Sequence, residues 1–148
     1  MNYTGPSSKP HDSGVAVAIF VERDGRYLLM KREGSVGAGT WAIPGGGVEY
    51  MEDPIDAAAR ELEEETGIKN PRLHFVGYSN DMHIADGLHY VTFLYKVTGF
   101  EGEPEIMEPH KCSKLGWFPL VELPTPIFSA LKVKLEDKTL IAKLKDIS

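Results

Sequence analysis

Residues Asp53–Gly67, DPIDAAARELEEETG, are the stretch on which the reading of this chain turns. Asp53 is a residue type that accepts hydrogen bonds from the free N–H groups at a helix start. Pro54 fits the first helical position, and Asp56 adds negative charge where the helix dipole favours it. Ile55, Ala58, Ala59, Leu62 and Thr66 recur at helical spacing and make one mostly apolar stripe. Gly67 supplies a stop. The spacing predicts a helix over 54–66 with one face to the core. Glu61, Glu64 and Glu65 share a second face, about a quarter-turn away.

That acidic face needs a reason. Like charges three or four residues apart each cost about 0.2–0.5 kcal/mol on an isolated helix. Arg60 relieves Glu64 at i+4 but cannot neutralise the cluster. A purely solvated face is one reading. The other is a site for a hard, oxygen-seeking cation such as magnesium, with positions left for water and phosphate oxygens. Working outward favours the second. Gly45, Gly46 and Gly47 are read as serving no packing purpose; they permit unusual backbone angles or close approach of a ligand, and their carbonyls can face a metal. Glu52, just before the helix cap, is placed to fold over the same acidic face.

Farther out, Gly14–Val21 is nearly continuous and β-branched, as in a strand buried on both faces. Asp24-Gly25 marks a hairpin turn with Tyr27–Met30 as the return strand. Trp41-Ala42-Ile43 is a short apolar segment stopped by Pro44. Further strands are expected at 72–79, 88–98 and 114–118, a solvated loop at Gly99–Pro109, and a second helix at Ile127–Lys134. A mixed sheet clasped by two helices is the economical architecture.

The whole chain sets bounds on partners. Its 148 residues, 42% hydrophobic and 26% charged, suit one domain with a proper core. Residues 1–12 read as a loose N-terminal tail without a signal peptide's apolar core, and 13–148 as a single domain. No apolar run is long enough to span a bilayer. A lone cysteine, Cys112, excludes a disulfide scaffold and fits the reducing cytoplasm. The net charge of −6, without a Lys/Arg block, argues against nucleic acid as partner. An anionic ligand would need divalent cations to offset the repulsion.

Gly46, then Glu52, then Arg60-Glu61-Leu62-Glu63-Glu64-Glu65-Thr66-Gly67-Ile68 resembles a complete Nudix box, meeting every fixed position of the 23-residue pattern from 46 to 68. The resemblance implies the Nudix fold, an α/β/α sandwich with a mixed central β-sheet, and hydrolysis of a nucleoside diphosphate linked to another moiety. It implies Glu61 and Glu65 as main ligands of magnesium (or manganese), and Glu64 as a further ligand or water-activating base. The Gly46 carbonyl would add a contact. Arg60 and Glu52 would form an ion pair that orients the helix. Homodimerisation is also implied.

Beyond the box, Leu28–Gly39, His89–Thr92, Glu105–Cys112 and Trp117 are similar to a MutT-like group acting on ordinary or modified nucleoside triphosphates. The implied reaction is release of pyrophosphate and a nucleoside monophosphate. Gly47 departs from the histidine usual in that group. Arg32 or Lys31 would contact phosphates, or form surface charge pairs. Glu108 is either a further metal or base residue or an exposed loop carboxylate. His89 and Tyr90 would approach the base, or serve their strand. Trp117 is read as a core anchor and Cys112 as an inert small hydrophobe. Other Nudix substrates (nucleotide sugars, dinucleotides, isoprenoid diphosphates) and a non-catalytic nucleotide-binding domain are the alternatives.

Overall fold

A computed structural model describes residues 12–34 and 36–148. The expected tail lies outside them except for Asp12, whose backbone opens the first strand. In chain order the elements are β1 (Asp12–Arg23), β2 (Arg26–Arg32), β3 (Trp41–Ala42), β4 (Gly45–Gly47), α1 (Pro54–Thr66), β5 (Leu73–His83), β6 (Leu88–Val97), β7 (Cys112–Phe118), α2 (Ser129–Glu136) and α3 (Lys138–Asp146).

The seven strands form one mixed sheet with the path β3-β2-β1-β6-β5, with β4 attached to β1 and β7 to β2. β1 is the hub. It runs parallel to β6 from Asp12↔Leu88 to Val21↔Val97, while Ala16–Ala18 pair antiparallel with β4 and Glu22-Arg23 turn back into β2. Asp24 and Gly25 both take positive φ, 54° and 77°, the paired left-handed geometry of a tight hairpin.

Alternation along β1 divides the core. Val17, Ile19 and Val21 join Ala57, Ala58 and Leu62 of α1 on one face. Ala18 and Phe20 join Leu131 of α2 and Leu140 and Leu144 of α3 on the other. A strand sending successive side chains to opposite faces needs a helix layer on each, and this gives the α/β/α sandwich.

α1 has the expected bounds. Asp53 caps it, accepting from Ile55 N at 3.2 Å, and Gly67 closes it with φ 77°. The stripe is rotated from expectation: Ala57 is buried, while Ile55 is 41% exposed. Two further readings are corrected. Two helices become three, because Asp137 ends α2 and at once caps α3, accepting from Leu140 N at 3.1 Å. Of the glycines at 45–47, Gly45 does have a packing purpose. The three are a strand, and a Cβ at Gly45 would overlap the Val17 carbonyl oxygen.

Lys96, on an inward position of β6 and 1% exposed, donates to the carbonyls of Leu144 and Ile147 at 2.8 and 2.5 Å. It thereby occupies acceptors that the end of α3 leaves free and ties that helix to the sheet.

Candidate active site

The acidic face of α1 is organised by Arg60. Its guanidinium donates through Nε and Nη2 to the two oxygens of Glu52, both at 2.8 Å, and through Nη2 to the Gly47 carbonyl at 3.0 Å. Nη1 donates to Glu61 at 2.9 Å and Glu64 at 3.2 Å. The Arg60 hydrogen bonds, helped by one from Glu49 N, hold the Glu52 carboxyl down at about 2. The same bonds raise the Arg60 pKa well above its ordinary value against the opposing effect of burial.

Glu65 is the most deeply set of the box glutamates. It accepts from Gly45 N at 2.9 Å. Burial pushes its carboxyl up to about 8; the Gly45 bond opposes this, and the charges of Glu61 and Glu108 add to it. Burial likewise raises Glu61, against the Arg60 bond. A Cβ at Gly46 would overlap the Glu61 carboxylate, so only glycine lets this backbone lie against that side chain. At Gly47 nothing stands within 4 Å of such a Cβ.

These carboxylates line a cavity of about 580 Å³, a volume ordinary for small-molecule sites. Glu61, Glu65 and the three glycines are on its wall together with Arg32 and Tyr90. Arg32 donates to the Val36 carbonyl at 2.9 Å and lies 4.2 Å over the Phe128 ring. Burial lowers its pKa, and the negative charge of Glu65 partly restores it.

Other expected residues lie elsewhere. Lys31, adjacent to Arg32 in β2, is not on the cavity wall; neighbouring strand residues point to opposite faces. His89 is exposed and pairs with Asn80 at 2.5 Å. Glu64, half exposed at 50%, stands outside the lining. Glu108 is also outside it, paired with Lys111 at 3.5 Å but near enough to act on Glu65. Trp117 packs at the core margin against Phe100, and Cys112 is buried, donating to the Lys114 carbonyl at 3.1 Å.

Sequence reasoning missed the rest of the cavity, notably Asp81, His83, Thr92, Phe128 and Lys134. A signal existed. Asp81 sits at an inward position of β5, and Lys134 lies one turn after the buried Leu131 of α2. Charges at such positions demand partners.

Among the described residues, no three His, Cys, Asp or Glu side chains surround a common point. Arg60 draws Glu61 and Glu64 one way, while the Gly45 N–H draws Glu65 another. The donor set nevertheless suits a divalent cation: burial raises the Glu65 carboxyl and the charges of Glu61 and Glu108 add to it, so added positive charge is stabilising there, and the Gly46 cradle keeps that space free of a side chain.

The NUDIX domain family model matches residues 10–144. The chain belongs to the NUDIX family. It is a Nudix hydrolase domain of MutT-like type. It is 30% identical over 115 residues to the oxidized purine nucleoside triphosphate hydrolase of Danio rerio, an alignment covering 76% of this chain and 70% of that protein. It is 32% identical over 120 residues to the ADP-ribose pyrophosphatase of Methanocaldococcus jannaschii, covering 80% and 69%. The crystal structure of a MutT NUDIX hydrolase from Burkholderia pseudomallei superimposes with a TM-score of 0.80 at 34% identity, over 93% of this chain and 99% of that one. Nudix hydrolases act on small-molecule nucleotides and generally use divalent metal ions. Among the described residues no helix is long and apolar enough to cross a membrane.

Proposed function

We propose that this chain, with residues 13–148 as its catalytic domain, hydrolyses nucleoside triphosphates, ordinary or oxidised, to a nucleoside monophosphate and pyrophosphate. The observation that carries the reading is the joining of Glu61, Glu65 and Arg32 in one cavity whose remaining walls are part apolar and part polar. Phosphates need the charged end; a base needs the other. Similarity to an oxidized purine nucleoside triphosphate hydrolase supports the same choice.

Glu61 and Glu65 would hold magnesium, with the Gly46 carbonyl beside them and Glu108 near. Bound magnesium supplies positive charge against the phosphate oxygens and acidifies the attacking water. Arg32 binds a phosphate oxygen from the end of β2. Glu64 either completes the ligand set or takes the proton from the water. The Glu52–Arg60 pair is not part of the cavity wall; it keeps Glu61 and Glu64 in place. Tyr90 faces the base. We place the protein in the cytoplasm as a homodimer, which sedimentation in solution tests.

A second reading has its own support. The ADP-ribose pyrophosphatase relative is as similar as the triphosphate hydrolase, so a nucleoside diphosphate linked to a sugar is the rival substrate. A panel of triphosphates, ADP-ribose and nucleotide sugars, assayed with magnesium for pyrophosphate and monophosphate release, decides between them. Pyrophosphate from triphosphates at higher kcat/KM than any turnover of ADP-ribose is expected. No pyrophosphate from any triphosphate would sink the proposal.

A further inference from the structure

The chain leaving β2 folds back around the Arg32 side chain. Arg32 N donates to the Thr40 carbonyl at 2.7 Å, and the Arg32 carbonyl accepts from Gly39 N at 2.8 Å. The Thr40 hydroxyl closes the turn on the Gly37 carbonyl at 2.6 Å. Within it the guanidinium meets two restraints. Nε donates to the Val36 carbonyl at 2.9 Å, and Cζ lies 4.2 Å from the centre of the Phe128 ring.

The ring is itself fixed. Phe128 N donates to the Trp41 carbonyl at 2.9 Å and Trp41 N to the Pro126 carbonyl at 2.9 Å, which ties the segment to β3. The His83 ring stacks on it, with centres 5.7 Å apart and planes 16° apart. Gly37 lies so close that a Cβ there would overlap the ring. Arg32, Val36, His83 and Phe128 all line the cavity.

A guanidinium donates from Nε and from two Nη groups. Among the described residues only Nε of Arg32 has an acceptor, so both Nη groups are left for a ligand. The charge they carry is felt by Glu65 on the same wall. The kind of partner matters here. A carboxylate would hold the arginine by occupying its donors and cancelling its charge. An aromatic face attracts the cation and leaves both available. Long side chains lose rotamer freedom when they grip a ligand, and here much of that loss is incurred in the fold.

We infer that Phe128 is a positioning residue: its ring, with the Val36 carbonyl, aims the Arg32 fork at the phosphate chain. The inference rests on the reading of Arg32 as a phosphate contact given above. Phe128 in this role serves the arginine and not the base, so its effect is felt by a ligand that has no base.

Calorimetric titration with inorganic pyrophosphate and magnesium tests this, pyrophosphate being the base-free product of the proposed reaction. Phe128→Leu, similar in volume but without a π face, should weaken pyrophosphate binding about tenfold, and Phe128→Tyr should retain it. Arg32→Gln should weaken it at least as much. Adding Phe128→Leu to Arg32→Gln should cost nothing further, because the ring acts through the arginine. Unchanged pyrophosphate affinity in Phe128→Leu overturns the inference. So does a loss that persists in the Arg32→Gln background, or one seen with AMP but not with pyrophosphate. A measurement on the unsubstituted protein needs no ring variant. Nuclear Overhauser contacts between the Phe128 ring and the Arg32 side chain should survive pyrophosphate binding, and their disappearance overturns the inference. Pyrophosphate that fails to bind the unsubstituted protein overturns the phosphate reading of Arg32 as well. Binding of the expected pattern without pyrophosphate release from any triphosphate supports the inference while the functional reading falls.

Discussion

Arg60 grips Glu52 with a two-pronged contact, Nε to Oε2 and Nη2 to Oε1, each 2.8 Å long. The match depends on the planar fork of a guanidinium, which an ammonium cannot reproduce. Arg60→Lys should therefore lose the grip while keeping the charge. Misplaced Glu61 and Glu64 would raise the magnesium concentration needed for half-maximal activity about 10–100-fold. A magnesium titration of activity checks this, and an unchanged midpoint would remove the positioning role.

The same contact has a pH signature. The Glu52 carboxyl moves from an ordinary 4.5 to about 2 in the fold, chiefly through the Arg60 hydrogen bonds. A depressed acid stabilises the native state above its unfolded pKa and loses that contribution as pH falls. The loss from this pair runs between pH 4.5 and 2. Glu52→Gln should give a shallower fall of Tm across that window, read by thermal melts at stepped pH.

Glu65 has the opposite sign. Its carboxyl rises from 4.5 to about 8, mainly by burial. In metal-free protein the native state then loses stability as pH rises from 4.5 to 8 and gains none back above that. Glu65→Gln should melt at the same temperature as the parent below pH 4.5. Above pH 8 it should be more stable by on the order of 2 kcal/mol, about 4–8 °C in Tm. Its kcat should drop about 10²–10⁴-fold. Undiminished turnover would mean the cation is held elsewhere.

Three neighbouring glycines should answer the same substitution differently. Gly45→Ala meets the Val17 backbone and should unfold or strongly destabilise the protein. Gly46→Ala meets first the Glu61 carboxylate, the movable end of a side chain, so the fold should persist while kcat/KM falls by about 10²-fold. Gly47→Ala meets nothing within 4 Å and should change stability by no more than about 0.5 kcal/mol. Melting curves beside kcat/KM for the three variants separate the outcomes, and similar effects at all three would contradict the geometry.

Legibility in the sequence followed how local each signal is. Asp53, Pro54 and Gly67 specify the ends of α1 through contacts within a few residues, and those ends appear where expected. The rotation of its apolar stripe toward Ala57 depends on where β1 and β4 lie, which no local pattern states. The break at Asp137 was hidden because one residue ends α2 and starts α3 without a loop. In the candidate site, Glu61 was nameable from the motif, whereas the end of β2 offered Arg32 and Lys31 alike and only the fold puts Arg32 on the cavity wall. Asp81 and Lys134 were not nameable, since 52 residues separate the two members of a pair that only the packing of α2 on β5 brings together.

The hub position of β1 has a consequence for redesign. One edge of this strand holds β4 and the glycine cradle; the other holds β6, which carries Tyr90 and Thr92 and pairs onward with β5 and Asp81. The two halves of the cavity thus share a spine while drawing their side chains from different segments. Residues 78–92 and 129–136 would accordingly form an exchangeable cassette: transplanting them from a relative should alter ligand preference while Phe128, which lies under Arg32, stays in place. The register of β1 is the one thing such a graft must not disturb.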